Sequence, residues 1–218
     1  MLSLSAQAQQ TWDFLDLSES IPLIEADNIN WNVDKYQTDV PIQWSNNIAF
    51  TEWSTLKANG EEIPATKGLM FIGDKGKLLF SISSKNKNYF KLNNNKAKIK
   101  ICNLKKGQKI TIVGVSGSKE EPRTFTAVEN LEVTSGMEPT LEEQTSEAKV
   151  MNDGDIVIGC TNAMNVYSIS LSADATGIAQ TTISKPSGND KFYTLDGKQV
   201  KPSHKGIIIA NGKKYTNK

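Results

Sequence analysis

Apolar and polar residues alternate along most of the middle of the chain. The alternation places β-branched and aromatic side chains at every second position, and it is clearest in seven segments: 77–83, 88–92, 97–103, 108–116, 123–133, 155–161 and 165–172. Short turns rich in Gly, Asn and Lys-Gly separate these segments. This spacing predicts an all-β protein whose main part is an antiparallel, jelly-roll-like β-sandwich. The Glu-rich segment 138–151 fits either a turn or two of helix or an exposed acidic loop.

The pattern changes near the C-terminus. Residues 177–190 are polar and show no apolar period, which is typical of a linker. Three short apolar runs follow, and the dipeptides Asp196-Gly197 and Asn211-Gly212 that separate them favour the positive φ angles of tight hairpin turns. The run 207–209 is predicted to form the central strand. The sequence therefore predicts a β-sandwich (11–172), a linker (173–190) and a small C-terminal β-hairpin unit (191–218).

The first ten residues, MLSLSAQAQQ, are interpreted as a residual signal-peptide-like segment (1–10) outside the fold. Ser5-Ala6-Gln7-Ala8 is a small-x-small pattern of the kind that signal peptidase cleaves, although the apolar stretch before it is short. A mis-assigned start is the alternative. The segment predicts a secreted or cell-surface protein. No window approaches the ~18 consecutive apolar residues of a membrane-spanning helix, so membrane spanning is not predicted.

The two cysteines lie in different phases of their strands. Ile99 and Ile101 share one face of their segment, which places Cys102 on the other face. Cys160 instead shares the apolar face of its segment with Ile156 and Ile158. A disulfide needs both sulfur atoms on a common side, so the alternation argues against one.

Charges are arranged in blocks, although the net charge is only +1. Between Asp74 and Glu120 there are twelve lysines and no acid, and the flanking blocks 1–74 and 120–190 are acidic. Arg123 is the only arginine, whereas nucleic-acid recognition favours the forked guanidinium group. Nucleic-acid binding is therefore not predicted. The lysines form either an anion-binding face or the solvent side of strands.

Most catalytic arrangements lack their residues in the main domain. His204 is the only histidine and lies in the C-terminal unit, so a Ser/His/Asp or Cys/His arrangement would need it to act across the linker. A His-based zinc site is excluded for the same reason. The protein is therefore predicted not to be an enzyme. A pair of carboxylates, or a Lys/Tyr pair as in a polysaccharide lyase, is the catalytic alternative.

A structural calcium ion at Asp153 and Asp155 is the only cofactor that the sequence suggests. The turn NDGD (152–155) offers oxygen ligands, which calcium prefers. It contains fewer ligands than a calcium-binding loop, and an ordinary turn is the alternative.

Tryptophans flanked by amides are the best candidates for binding. Sugar-binding sandwiches use exposed aromatic faces with nearby amides and charges. Trp31 and Trp44 have amides beside them, and Trp53, near Glu52 and Lys57, is a third candidate. The alternative is that these rings fill the core. The candidate ligand-binding residues are Trp31, Trp44, Trp53, Asn46, Asn47 and Tyr89.

Several motifs resemble jelly-roll domains of secreted Bacteroidetes-type proteins. They are the Lys-Gly-x-Lys turn Lys106–Lys109, the Asp-Gly-Asp turn Asp153–Asp155, the strand Asn165–Ile169 and the opening TWDF at 11–14. Such domains are similar in fold to galactose-binding-like and carbohydrate-binding modules and often accompany glycan-active proteins. The resemblance covers residues 11–172 and implies a jelly roll that many functions use.

The C-terminal unit resembles the C-terminal sorting unit of Bacteroidetes secretion. The matching segments are Tyr193–Val200, Lys205–Ile209 and Asn211–Lys214. The resemblance implies recognition by secretion machinery, and a small module that packs on the main domain is the alternative. The implied sorting-type motif consists of Tyr193, Leu195, Gly197, Val200, Gly206, Asn211, Gly212 and Lys213.

Together these observations predict a non-catalytic, secreted or cell-surface recognition protein. A polysaccharide or other glycan is the preferred partner. A structural or adhesive surface protein that binds another protein is the second hypothesis. A glycan-degrading enzyme is the third.

Overall fold

The computed structural model describes residues 9–34, 42–83, 86–172, 192–194, 196–201, 206–210 and 213–217. The chain forms two compact units, Met1–Ala175 and Thr176–Lys218, and the predicted linker 173–190 lies outside the described residues. Both units are built from antiparallel strands, which confirms the predicted all-β class. No helix in the described ranges is long and apolar enough to cross a membrane.

Sixteen strands are described in the first unit. The first eight are β1 (Gln10–Asp13), β2 (Trp31–Asp34), β3 (Ile42–Asn46), β4 (Phe50–Ser54), β5 (Lys57–Ala58), β6 (Glu61–Glu62), β7 (Leu69–Gly73) and β8 (Leu78–Ile82). The next eight are β9 (Tyr89–Leu92), β10 (Lys98–Leu104), β11 (Lys109–Ser116), β12 (Phe125–Glu129), β13 (Leu131–Ser135), β14 (Gln144–Val150), β15 (Gly154–Cys160) and β16 (Met164–Leu171). The helical elements described there are α1 (Ile21–Ala26) and a 3-10 turn (Pro64–Thr66).

The strands form two sheets that pack as a sandwich. The larger sheet has the order β13-β14-β11-β16-β9-β8-β3-β2, and β1 also pairs with β16. The smaller sheet has the order β12-β15-β10-β7-β4. Strands β5 and β6 form a separate two-stranded ribbon.

Strands β9 to β16 follow the strand order of a jelly roll. β9 pairs with β16, β10 with β15 and β11 with β14, so this part of the chain is one long hairpin with paired arms. The pairs fall alternately in the two sheets, which gives the orders β9-β16-β11-β14 and β10-β15-β12. This arrangement confirms the predicted jelly-roll-like sandwich.

Phe90 of β9 lies at the centre of the core. Its ring centroid is 5.3 Å from that of Phe14, 5.3 Å from that of Phe71 and 5.0 Å from that of Phe80. Phe71 belongs to the smaller sheet and Phe80 to the larger one, so the aromatic cluster joins the two layers. Because successive strand residues point to opposite faces, the neighbours of Phe90 in β9 point away from the core.

Two segments differ from their predicted structure. The second half of 138–151 forms β14, so the prediction of helix or loop is wrong there. Every second residue of β14, from Gln144 to Val150, is buried. Some of these buried residues are polar, so the sequence shows no regular alternation of apolar and polar residues there.

Segment 123–133 is divided into β12 and β13 at Asn130, which has a φ of 57°. At the N-terminus, β1 begins at Gln10, one residue before the predicted sandwich.

The described part of the second unit is a four-stranded antiparallel sheet. Its strands are β17 (Phe192–Tyr193), β18 (Gln199–Val200), β19 (Gly206–Ala210) and β20 (Lys213–Asn217), in the order β18-β17-β19-β20. β19 contains the run 207–209 and is an inner strand, as predicted. Gly197 has a φ of 81°, which confirms the predicted Asp-Gly turn. The predicted Asn211-Gly212 turn lies outside the described residues.

Both cysteines are free thiols. Cys160 is 4 % exposed and belongs to the core with Ile156 and Ile158, as their common phase predicts. Cys102 is half-buried on the outer face of the smaller sheet, and its sulfur is 3.6 Å from that of Met70. The two sulfur atoms thus lie on opposite faces of the smaller sheet, as the phases of their strands predict.

Candidate functional site

Trp31 and Trp44 lie in the core, so the prediction that they stack against a sugar is wrong. Each side chain is 2 % exposed. The ring of Trp31 is 5.4 Å from that of Phe80, and its Nε1 donates a hydrogen bond to the carbonyl of Lys57 at 2.9 Å. Trp31 of β2 and Trp44 of β3 point from the larger sheet toward the smaller one. Burial of such large apolar rings stabilises the sandwich.

Asn46 and Asn47 hold the turn after β3. Asn46 is 1 % exposed, its Oδ1 accepts a hydrogen bond from the amide of Leu78, and its Nδ2 donates to the carbonyl of Ile48. The predicted contact of Asn46 with a sugar is therefore wrong, because its side-chain amide is buried and forms hydrogen bonds with the backbone of the turn. Asn47 is half-buried and its Nδ2 donates to the carbonyl of Ile29 at 2.8 Å. A contact between Asn47 and a ligand stays a prediction.

Trp53 is half-buried on the outer face of the smaller sheet. Nζ of Lys100 lies 4.6 Å from its ring centroid and 3.7 Å from Oδ2 of Asp155. The cation therefore covers one side of the ring. Trp53 and Tyr89 lie on different sheets, so the structure does not bring all the predicted binding residues together.

Tyr89 lies on the outer face of the larger sheet, next to Tyr167. The register of β9 and β16 ends at the pair Phe90 and Val166, and Tyr89 and Tyr167 are the next residues of the two strands, at a register shift of β16 against β11. Burial, Glu143 and Tyr89 all raise the pKa of Tyr167, which places the two tyrosine side chains near each other. Both tyrosines are half-buried. The hydroxyl of Tyr89 accepts a hydrogen bond from Nε2 of Gln43 at 3.0 Å. Two tyrosine side chains thus lie near each other on a sheet face, and the amide of Gln43 bonds to one of them.

Further polar residues surround the two rings. Ser81 lies between Gln43 and Tyr89 in the strand register, and Lys91 pairs with Asn165 one row away. We use the name tyrosine platform for the outward-facing residues Gln43, Ser81, Tyr89, Lys91, Asn165 and Tyr167.

Two platform residues carry polar atoms without a hydrogen-bond partner. Oγ of Ser81 and Oδ1 of Asn165 are buried, and neither bonds to any residue in the described ranges. Ser81 is fully buried although it faces outward, because Gln43 and Tyr89 bond to each other across it. Buried polar groups are normally paired, so the platform has an incomplete set of hydrogen bonds.

Lys87 covers the ring of Tyr167 and forms an ion pair with Glu143. Its Nζ is 4.9 Å from the ring centroid. The hydrogen bond to Glu143 raises the pKa of Lys87, and burial raises the pKa of Tyr167. Both groups therefore stay protonated near neutral pH. A Lys/Tyr lyase needs a deprotonated base, and this pair meets at the ring face, so it does not fit that catalytic alternative.

Four carboxyl groups in the described ranges have a clearly displaced pKa, and all four values are lowered. In each case the hydrogen bonds that the carboxylate accepts outweigh the effect of burial. A glycosidase acid needs a raised pKa instead. The groups are Asp16, Asp27, Glu147 and Asp153.

Asp153 and Asp155 hold the turn between β10 and β11. Oδ1 of Asp153 accepts a hydrogen bond from the amide of Lys106 at 2.8 Å, and its Oδ2 is 3.0 Å from Nζ of Lys105. Oδ1 of Asp155 accepts one from the amide of Asn103. The described residues contain no group of three or more His, Cys, Asp or Glu placed to hold a metal. Calcium binding at this turn stays a prediction.

A pocket of about 270 Å³ opens at the edge of the sandwich, and Trp31 forms part of its wall. Its other lining residues are Asn30, Asn46, Ile48, Phe50, Thr55, Lys57 and Gly60. Ile48 is 51 % exposed, and Ile29 beside it is 76 % exposed. The pocket therefore has an apolar rim.

The described sorting-type residues belong to the sheet and the turn of the second unit. Tyr193 pairs with Ile209, Val200 with Phe192, Gly206 with Asn217 and Lys213 with Ala210, while Gly197 lies in the turn. Leu195, Asn211 and Gly212 lie outside the described residues.

Sequence reasoning identified Tyr89 but missed the rest of the platform. Tyr167 and Asn165 alternate with Val166 in β16, so their outward phase is visible in the sequence. The pairing of β9 with β16, which spans more than seventy residues, is what joins the two tyrosines. No local pattern reports such a pairing.

No protein-family model matches this chain, and a search of curated proteins found no match. Functional inference therefore depends on the fold and on the residues described above.

Proposed function

We propose that this protein is a non-catalytic, secreted or cell-surface recognition protein that binds a polysaccharide on the tyrosine platform. The observation that carries the proposal is that Tyr89 and Tyr167 lie near each other, half-buried, on the outer face of the larger sheet. Sugar rings present C–H faces that pack against aromatic rings, and their hydroxyls need polar partners. The amides of Gln43 and Asn165 provide such partners beside the rings.

The unpartnered atoms of Ser81 and Asn165 support this proposal. A buried acceptor without a partner costs about 1–3 kcal/mol. A ligand hydroxyl that reaches Oδ1 of Asn165 removes this cost. If the bond between Gln43 and Tyr89 opens, Oγ of Ser81 becomes available to a second hydroxyl.

The ion pair above Tyr167 does not prevent binding. The side chains of Lys87 and Glu143 are 52 % and 47 % exposed. Exposed ion pairs contribute only about 0–1 kcal/mol, so a ligand displaces this one at little cost.

Calorimetric titration of the full chain with a panel of soluble neutral and acidic polysaccharides tests the proposal. We expect saturable binding to at least one polymer. Tyr89→Ala and Tyr167→Ala should each weaken it about tenfold or more, because truncation of a central aromatic contact costs over about 1.4 kcal/mol. Trp53→Ala, on the smaller sheet, is the matched control and should bind as the wild type does.

Two outcomes would contradict the proposal. One is the absence of binding across the panel. The other is loss of binding in Trp53→Ala with retention in both tyrosine variants, provided that near-ultraviolet circular dichroism shows all three variants to be folded.

Adhesion to another protein is the second candidate function, and the pocket with the apolar rim favours it. Ile48 and Ile29 are large apolar side chains that remain exposed beside a pocket lined by Trp31 and Phe50. Exposed apolar groups at a pocket are typical of sites that accept a partner's side chain. Ile48→Lys should then abolish binding to the partner and leave polysaccharide binding unchanged.

We also propose that the second unit directs export, since it is compact and has its own four-stranded sheet. Its strand segments resemble a sorting unit of secretion. A chain that ends at residue 175 should then remain inside the cell that exports the full chain. Equal export of both chains would contradict this proposal.

A further inference from the structure

Lys91 of the tyrosine platform is a cation without an ion-pair partner in the described part of the chain. It is half-buried on the outer face of β9, directly opposite Asn165 of β16. The neighbouring Oδ1 of Asn165 is buried and also lacks a partner. The same row of the platform therefore contains a half-buried positive charge and a buried amide oxygen, and neither has a partner within the described residues.

The charges that act on Lys91 are positive. Burial lowers the pKa of Lys91, and the charges of Arg123 and Lys77 lower it further. The guanidinium of Arg123 is itself paired with Glu121, at 2.6 Å between Nη2 and Oε2. Lys77 and Lys91 are left with excess positive charge between them. An anion at this position would be attracted by both lysines, and partial burial strengthens that attraction while it adds a desolvation cost.

Five other lysines of the basic block form ion pairs within the described part of the chain. Pairing of the strands brings them against acids from the two flanking blocks. The pairs are Lys87 with Glu143, Lys96 with Asp74, Lys100 with Asp155, Lys105 with Asp153 and Lys109 with Glu147. Lys91 differs from these five because no ion pair among the described residues includes it, and because it lies among the tyrosines and amides of the platform.

We propose that the ligand of the tyrosine platform is an acidic polysaccharide, and that Lys91 binds its carboxylate or sulfate groups. This inference rests on the proposed function and names the class of its ligand. In this arrangement the rings of Tyr89 and Tyr167 hold the sugar face. The side-chain NH2 group of Asn165 donates a hydrogen bond to the same anion, or its Oδ1 accepts one from an adjacent sugar hydroxyl. An asparagine amide contains both a donor and an acceptor.

Two matched pairs of polymers test the inference by calorimetry on the full chain. Polygalacturonate is compared with its full methyl ester, and dextran sulfate with dextran. We expect binding to at least one acidic polymer to be tenfold or more tighter than binding to its neutral match. This is the range for a hydrogen bond to a charged group. A DNA duplex serves as a polyanion without sugar-ring faces for stacking.

Variants of Lys91 identify the residue responsible. Lys91→Gln keeps much of the side chain and removes the charge, so it should abolish the preference for the acidic polymer. Lys91→Arg keeps the charge and should retain most of the preference. Lys98→Gln, on the outer face of the smaller sheet, is the control and should change nothing.

The outcomes separate this inference from the proposed function. Equal binding of the acidic and neutral polymers that depends on Tyr89 would overturn the acidic ligand and leave polysaccharide binding in place. Absence of binding to all four polymers would overturn the acidic ligand, and absence of binding across the wider panel would overturn both proposals. Binding of the DNA duplex as tight as that of the acidic polymers, with the same dependence on Lys91, would also overturn the inference, because it would show unspecific attraction of polyanions.

Discussion

The surroundings of Lys91 disfavour its positive charge, and this charge therefore lowers the free energy of unfolding. Burial and the nearby cations Arg123 and Lys77 all act against the ammonium form. Lys91→Gln should therefore raise the free energy of unfolding at neutral pH, or at least leave it unchanged. Urea unfolding of the two proteins measures the difference. A clear loss of stability in Lys91→Gln would show that the charge is compensated in the native state.

The pH dependence of that difference has a defined sign. The folded-state pKa of Lys91 is below the ordinary value of 10.5, so the penalty is fully present below the folded pKa. As the pH rises from the folded pKa toward 10.5, the native state loses the proton first and the penalty disappears. The stability advantage of Lys91→Gln should shrink over this interval.

The stability contribution of Asp27 depends on pH in the opposite direction to that of Lys91. Asp27 is 3 % exposed, and burial raises its pKa, but hydrogen bonds from the Asn30 side chain and from the amides of Asn59 and Asn30 together lower it below 3.8. The stability that Asp27 contributes is therefore present above 3.8 and is lost as the pH falls through the folded pKa. The free energy of unfolding should therefore fall as the pH is lowered through and below 3.8, and should fall less in Asp27→Asn.

Asp27→Asn should also be less stable than the wild type near neutral pH. An amide has one acceptor oxygen, whereas the carboxylate accepts bonds at 2.7 Å from both Asn30 Nδ2 and Asn59 N at Oδ2, and a third at Oδ1. The loss should be about 1–3 kcal/mol. Asp16→Asn, at an exposed turn, is the control and should change little. Identical pH profiles for Asp27→Asn and the wild type would contradict the assignment.

Single residues show why the binding candidates were partly mispredicted. Trp31 and Trp44 have amides beside them in the sequence, but alternation places the rings in the core and uses Asn46 in a turn. Tyr89 has a less distinctive setting and lies on the surface. The residues next to a tryptophan in the sequence do not show whether its side chain points toward the other sheet or toward solvent. That direction determines whether the ring is exposed.

The break between β12 and β13 depends on Asn130. Its φ of 57° is in the left-handed region, its Nδ2 donates to the carbonyls of Asn152 and Asp155, and its Oδ1 accepts from the amide of Asn152. Asn130→Gly keeps the backbone conformation and loses these bonds, at about 1–3 kcal/mol. Asn130→Ala should cost about 1 kcal/mol more, since a Cβ disfavours this φ.

Urea unfolding of the two Asn130 variants separates the two contributions. Equal stability of Asn130→Gly and Asn130→Ala would show that the left-handed backbone is not retained. Wild-type stability in both would show that the hydrogen bonds across the β13 to β15 region contribute nothing.

Elements were predicted well where their buried positions are apolar. The alternating strands β8 to β11 and β15 and β16 have mainly apolar residues at inward positions, and their observed bounds lie within two residues of the predicted ones. β14 was missed because Gln144 and Ser146 occupy inward positions, where Gln144 bonds to Thr124. A strand with a polar buried face gives no hydrophobic period to detect.

At the scale of the whole molecule, the nested hairpin from β9 to β16 explains both the charge blocks and the platform. It brings the basic central block against the acidic blocks, which produces the lysine ion pairs. It also joins β9 to β16 and so assembles the platform from Tyr89, Lys91, Asn165 and Tyr167. The jelly roll follows from alternation and turn spacing, whereas the platform follows from long-range pairing that the sequence does not display.

Chemical-shift mapping of the full chain with soluble oligogalacturonate tests the central claim most directly. If the tyrosine platform binds an acidic polysaccharide, the shifts will concentrate in residues 87–92 and 164–168 and will diminish in Lys91→Gln. The account would be contradicted by shifts centred on Trp53 and Lys100, by shifts around the Trp31 pocket alone, or by no shifts with oligogalacturonate and none with an oligosaccharide of sulfated dextran.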